Sequence, residues 1–125
     1  MISVLVNGAK GKMGAETVKA ILGDADLTLV ASTDAGDDLP VVLHRTRPQV
    51  AVDFTRPDCV FRNAESMLLA GVRPVVGTTG LTDAQMTELD DLAREKGLGI
   101  LVVPNFAIGA VLMMKFAAEA GKYLT

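Results

Sequence analysis

The sequence is poor in aromatic residues: among 125 residues there is no tryptophan, one tyrosine and four phenylalanines. Base-stacking platforms for single-stranded nucleic acid are therefore not expected. A single cysteine, Cys59, excludes an internal disulfide framework and suits a reducing compartment, so a cytoplasmic location is expected. With one histidine, His44, there is neither a His/Cys cluster at metal-ligand spacing nor a Ser-His-Asp arrangement, and no metal is expected. Twelve basic side chains face fifteen acidic ones, a net charge of −3, which gives no electrostatic footprint for nucleic acid or an anionic membrane. No apolar run reaches the roughly eighteen residues of a spanning helix, and the start lacks the layout of a signal peptide. No repeat, low-complexity tract or linker is visible, so one domain is expected over residues 1–125.

Half of the residues are hydrophobic, enough for a packed core. Short apolar runs alternate with longer segments of helical period. Strands are expected at Ile2–Val6, Leu27–Ser32, Val50–Phe54, Pro74–Val76 and Leu98–Val103. Helices are expected from Gly11 to Leu22, Val41 to Arg47, Thr55 to about Ala70, Thr82 to about Lys96 and Ile108 to Leu124. Thr55 would cap the third helix, with Pro57 in its first turn, and Cys59 inside it would be a buried structural thiol. Five alternations of strand and helix predict a Rossmann-like, doubly wound α/β fold with a parallel sheet.

The first strand runs directly into Gly8-Ala9-Lys10-Gly11-Lys12-Met13-Gly14. Glycines there allow a tight turn and let backbone amides approach a pyrophosphate at the positive end of the first helix. Lys10 and Lys12 add cations. The turn lacks the Gly-Lys-Ser/Thr ending of a triphosphate-binding loop. Asp34, twenty residues after Gly14, stands where a carboxylate would accept hydrogen bonds from an adenosine ribose. It would disfavour a 2′-phosphate, so NADH is expected to bind at least as well as NADPH. The competing readings are a plain strand–helix turn, a turn aspartate and solvated lysines.

Three further segments fall at the carboxyl ends of strands, where open parallel sheets bind ligands. They are residues 53–57, Gly77-Thr78-Thr79-Gly80 and Pro104-Asn105-Phe106-Ala107-Ile108-Gly109-Ala110. Phe54 and Phe106 could wall a nicotinamide, and Asn105 could bond its carboxamide. Equally, Asp53 and Thr55 could only cap a helix, Thr78 and Thr79 could only turn the chain, and the two phenylalanines could be core. The last helix is apolar around most of its circumference, which implies burial on more than one side. Cover by a further domain or another subunit is the expectation, and central packing within the domain is the alternative.

Together the glycine turn, Val52-Asp53-Phe54-Thr55, Val76-Gly77-Thr78-Thr79-Gly80 and Pro104–Ala110 resemble, in order and spacing, the N-terminal domain of 4-hydroxy-tetrahydrodipicolinate reductase, formerly dihydrodipicolinate reductase. The resemblance spans the chain. It implies an NAD(P)H-dependent oxidoreductase of lysine and diaminopimelate biosynthesis that passes hydride to a cyclic dicarboxylate substrate. It further implies that Gly8, Ala9, Lys10, Gly11, Lys12 and Met13 hold the pyrophosphate and Asp34 the ribose. Gly77, Thr78, Thr79, Val103, Pro104, Asn105 and Phe106 would contact the nicotinamide half, and Thr79 would also reach substrate. The family continues into a substrate-binding and tetramer-forming domain with paired histidines, a lysine and a Ser-Gly-Thr clamp, which this sequence does not contain. No catalytic residue is therefore assigned here, and the chain is expected to bind NADH or NADPH without efficient turnover. A non-catalytic NAD(H)-sensing module and a cofactor-free scaffold are the alternatives.

Overall fold

β-branched runs punctuated by Gly, Asn and Asp produce five short parallel strands, each followed by a helix. The computed structural model describes residues 1–103 and 108–123. In chain order the elements are β1 (Ile2–Asn7), α1 (Lys12–Leu22), β2 (Leu27–Thr33), α2 (Leu39–Thr46), β3 (Val50–Asp53), α3 (Val60–Leu69), β4 (Arg73–Val76), α4 (Asp83–Lys96), β5 (Leu101–Val102) and α5 (Ile108–Gly121). The sheet order is β2-β1-β3-β4-β5, all parallel. The chain winds outward from β1 on one side and from β3 on the other, so the doubly wound expectation holds. The reversal of strand order falls between β1 and β3, the place where such sheets bind ligands.

Side-chain alternation divides the core into two faces. Val4 and Val6 of β1 pack with Ile21 and Val18 of α1 on one face. Leu5 and Ala51 turn to the other face and meet Leu39, Leu43, Met67 and Val72. That layer continues into Val60, Ala64, Leu68, Val76, Leu89 and Ala93, where α3 and α4 cover β4. Removing a fully buried side chain such as Leu43 or Met67 would cost on the order of 2–5 kcal/mol.

Three expectations are corrected. The third helix begins at Val60, and Thr55 does not cap it, because its hydroxyl donates to Asp53 instead. Cys59 is consequently the half-buried N-cap of α3 and not an interior helical thiol. The fifth strand is confined to Leu101–Val102, and the Leu98 amide closes the end of α4 by donating to the Ala93 carbonyl. Finally, α5 does not pack centrally within the domain: Met113 is 70 % and Phe116 65 % exposed. Its cover by a further domain or subunit therefore becomes a proposal.

Candidate functional site

The glycine turn is built by a short chain of backbone bonds. The Gly8 and Ala9 amides both donate to the Thr33 carbonyl, at 2.8 and 3.2 Å, and the Gly11 amide donates back to the Gly8 carbonyl at 3.1 Å. Gly8 has φ +86°, and a Cβ there would run into the Phe54 carbonyl. A Cβ on Gly14 would run into the Gly8 carbonyl, so this residue sets how closely α1 can approach β1. The Lys10 amide donates to Asp34 Oδ1 at 3.0 Å, which ties the turn to the end of β2.

The helices that begin along this edge end differently at their N-termini. In α2, Asp38 accepts from the Val41 amide, and in α4 a full capping box joins Thr82 and Gln85. Neither α1 nor α3 has a side-chain cap; their N-cap residues are Gly11 and Cys59. The first amides of a helix have no partner within it, so the uncapped start of α1 is ready to receive an anion, whereas the Cys59 and Val60 amides that open α3 already donate to the Arg56 carbonyl.

Both uncapped starts open on one cleft. A cavity of about 440 Å³ is lined by Gly8, Gly11, Asp34, Phe54, Thr55 and Cys59. A second, of about 380 Å³, is lined by Lys12, Met13, Phe54, Gly77, Thr78 and Thr79. The two share Gly11, Phe54 and Thr55, forming one groove from the end of β2 to the end of β4. The Phe54 ring lies over Gly77, so this half-buried side chain both spaces two loops and walls the groove.

Beneath the groove lies a polar cluster. Asp53, fully buried, accepts hydrogen bonds from Asn7 Nδ2 (2.9 Å) and Asn63 Nδ2 (3.2 Å) on Oδ1, and from the Thr55 (2.9 Å) and Thr78 (3.0 Å) hydroxyls on Oδ2. Thr33 donates to Asn7 Oδ1 at 2.8 Å. Burial pushes the Asp53 carboxyl above its ordinary value, with the hydrogen bonds from Thr55, Thr78, Asn7 and Asn63 opposing that rise.

The structure thus brings together Gly8, Gly11, Lys12, Met13, Asp34, Phe54, Gly77, Thr78 and Thr79 around one groove. Ala9 and Lys10 belong to the same turn through their amides. Val103 donates its amide to the Val76 carbonyl, beside the Gly77 loop. Pro104, Asn105 and Phe106 lie outside the described residues. His44 sits exposed on α2 at the opposite, amino edge. Asn7, Thr33 and Asn63 were not anticipated as site residues. A shared signal was present, since Asn7, Thr33 and Asp53 each end an apolar strand with a polar side chain. Among the described residues no group of acidic, histidine and cysteine side chains could hold a metal ion. No described helix is long and apolar enough to cross a membrane.

Comparison with known proteins gives a consistent set of matches. The family model described as "Dihydrodipicolinate reductase, N-terminus" matches residues 2–106. A 4-hydroxy-tetrahydrodipicolinate reductase of Syntrophomonas wolfei subsp. wolfei is 51% identical, covering 96% of this chain and 53% of the relative. One from Coxiella burnetii is 49% identical, covering 98% of this chain and 51% of the relative. The chain spans about half the length of these curated relatives. Among solved structures, the dipicolinate-bound dihydrodipicolinate reductase of Paenisporosarcina sp. TG-14 superposes with TM-score 0.87 at 36% identity, over 98% of this chain and 54% of that one. A biliverdin reductase of Synechocystis sp. PCC 6803, in complex with biliverdin and NADP+, superposes with TM-score 0.71 at 21% identity, over 81% and 37%, and shows the fold alone.

Proposed function

The chain belongs to the family of the dihydrodipicolinate reductase N-terminus, and from that premise we propose that it is the NAD(P)H-binding unit of a 4-hydroxy-tetrahydrodipicolinate reductase. The carrying observation is the uncapped start of α1, reached through a turn so close-packed that a side chain at Gly8 or Gly14 would fill it, opening on a groove with Asp34 at one end. These features fit a dinucleotide. Gly8, Ala9, Lys10, Gly11, Lys12 and Met13 would form the diphosphate site: the Gly8 to Gly11 amides are bonded within the protein and shape the turn, and the Lys12 and Met13 amides with the two lysine side chains would meet the ligand. Asp34 would accept from the adenosine ribose. Phe54, Gly77, Thr78, Thr79 and Val103, together with Pro104, Asn105 and Phe106, would border the nicotinamide half, and Thr79 would face substrate.

When bound, the reduced nicotinamide supplies hydride for reduction of a cyclic dicarboxylate, in the route to diaminopimelate and lysine. This chain's own residues bind and orient. Reduction also needs a proton, and among the described residues bordering the groove there is no histidine, the commonest donor. We assign the proton donor and the substrate clamp to a second, substrate-binding and tetramer-forming domain, which would also cover α5. On this reading the chain alone binds cofactor and turns over little substrate.

Fluorescence titration with NADH and NADPH tests the proposal. Asp34 and Asp37 both line the adenosine end, so NADH should bind at least as tightly as NADPH. Absence of binding by either at millimolar concentration defeats the cofactor reading, and strong NADPH preference defeats the role given to Asp34.

A further inference from the structure

A buried carboxylate is normally compensated by a cation, yet the groups that reach Asp53 are two amides and two hydroxyls. All of them donate, and an ionised carboxylate is the acceptor-only side chain that can receive them together. The donors come from separate parts of the fold: Asn7 ends β1, Asn63 lies in α3, Thr55 follows β3 and Thr78 follows β4. The bonds also pass on from the carboxylate. Thr78 Oγ1, while donating to Asp53, accepts the Thr55 amide at 2.8 Å. Thr55 Oγ1 accepts Asn63 Nδ2 at 3.1 Å. Thr55 and Thr78 both border the part of the groove that also holds Gly77 and Thr79.

We propose that Asp53 is a positioning residue for cofactor binding, its buried carboxylate fixing the Thr55 and Thr78 loops against each other so that the nicotinamide end of the groove is formed before cofactor arrives. The inference rests on the cofactor reading above. It assigns Asp53 no contact with cofactor: 0 % of its surface is accessible, and its effect travels through the two threonine hydroxyls. The desolvation of this carboxyl is the cost of holding the loops, and a residue needed only for packing would be apolar. Through Thr78 this positioning acts on the nicotinamide end alone, whereas Asn7, Asn63 and Thr55 also border the cavity that holds Asp34.

The test compares NADH with AMP, which fills the adenosine end alone, on four forms of the chain: native, Asp53→Asn, Thr78→Val and Thr78→Ser. Thermal melts confirm that each is folded at the titration temperature. NADH affinity should fall roughly tenfold in Thr78→Val and in Asp53→Asn, the scale of one lost hydrogen bond. Thr78→Ser, which restores the hydroxyl, should recover most of that loss, and AMP affinity should stay within about twofold in both Thr78 variants. If the native chain binds NADH and the folded Thr78→Val and Asp53→Asn variants bind it equally well, the positioning role is wrong while the cofactor reading stands. Equal loss of AMP and NADH affinity in Thr78→Val would also overturn it, by showing a general structural defect. If the native chain binds neither nucleotide, the cofactor reading itself falls and takes this inference with it.

Discussion

Two kinds of helix start lie along the same edge of the sheet. α2 and α4 begin with side-chain caps from Asp38 and Thr82, whereas α1 and α3 begin at Gly11 and Cys59 with none. For α1 and α4 the difference follows location: Gly11 lines the groove and Thr82 does not, whereas α2, whose Leu39 also borders it, keeps its Asp38 cap. A cap satisfies one of the orphan amides at a cost of nothing but sequence, so leaving it out of a helix start is informative when a groove lies in front of it. The amino edge gives the same lesson by contrast. There a cavity of about 510 Å³ is lined by His44, Arg47 and Arg73, a cationic setting without a helix start. Its helix ends are the last turns of α2 and α3, whose carbonyls carry partial negative charge. Cavity size and side-chain charge would point an anion to that edge. Chain direction points it to the other.

The largest way to break this contrast is Gly14→Ala. The added methyl overlaps the Gly8 carbonyl, so α1 must retreat from β1. A loss of roughly 2–4 kcal/mol in chemical unfolding is expected, with no measurable NADH binding. Native-like binding in this variant would show that the turn does not form the site.

Gly11→Asp inverts the contrast by giving α1 the cap it lacks. The position tolerates a side chain, with φ −72° and a Cβ that would lie 3.4 Å from the Gly8 carbonyl oxygen. A carboxylate there competes with a diphosphate for the same amides. NADH affinity should drop at least roughly tenfold while stability holds or rises by a few tenths of a kcal/mol. Unchanged affinity in calorimetry would refute the assignment of those amides.

The reciprocal change, Thr82→Ala, removes the bond that Thr82 Oγ1 accepts from the Gln85 amide and leaves the Thr82 amide free to donate to Gln85 Oε1. It should lower unfolding free energy by about 1 kcal/mol and leave NADH affinity within about twofold.

The smallest expected effect concerns Asp53, whose carboxyl burial holds above its ordinary value of 3.8. The unfolded chain releases this proton first as pH rises. The residue's contribution to stability is therefore fully present below 3.8 and is lost as pH rises through the higher native value. Asp53→Asn cannot titrate, so its stability relative to the native chain should increase with pH across that window. Denaturant unfolding at stepped pH measures the slope, and the opposite sign would mean that the hydrogen bonds outweigh burial.

Order and type of the elements were legible because apolar period distinguishes short buried strands from amphipathic helices, and because Gly, Asn and Asp mark the strand ends. The glycine turn and Asp34 were legible because their spacing is local geometry. Where the reading failed, distant partners decided. Thr55 looked like a helix cap from its neighbours, but its hydroxyl is claimed by Asp53, and its amide donates to Thr78, twenty-three residues away. Asn7 meets Asp53 across forty-six residues, a pairing that no local pattern announces. Leu98 looked like strand, but its amide is used to close α4 on the Ala93 carbonyl.

The central claim is that the amides opening α1 receive the diphosphate of a nicotinamide cofactor. A nitrogen–proton correlation spectrum of the isotope-labelled chain, titrated with NADH, addresses it residue by residue. The account predicts saturable shifts concentrated at Gly8 to Gly14, with a second group at Thr55, Thr78 and Thr79. Shifts gathered instead around His44, Arg47 and Arg73, or no shifts at millimolar NADH, would contradict it.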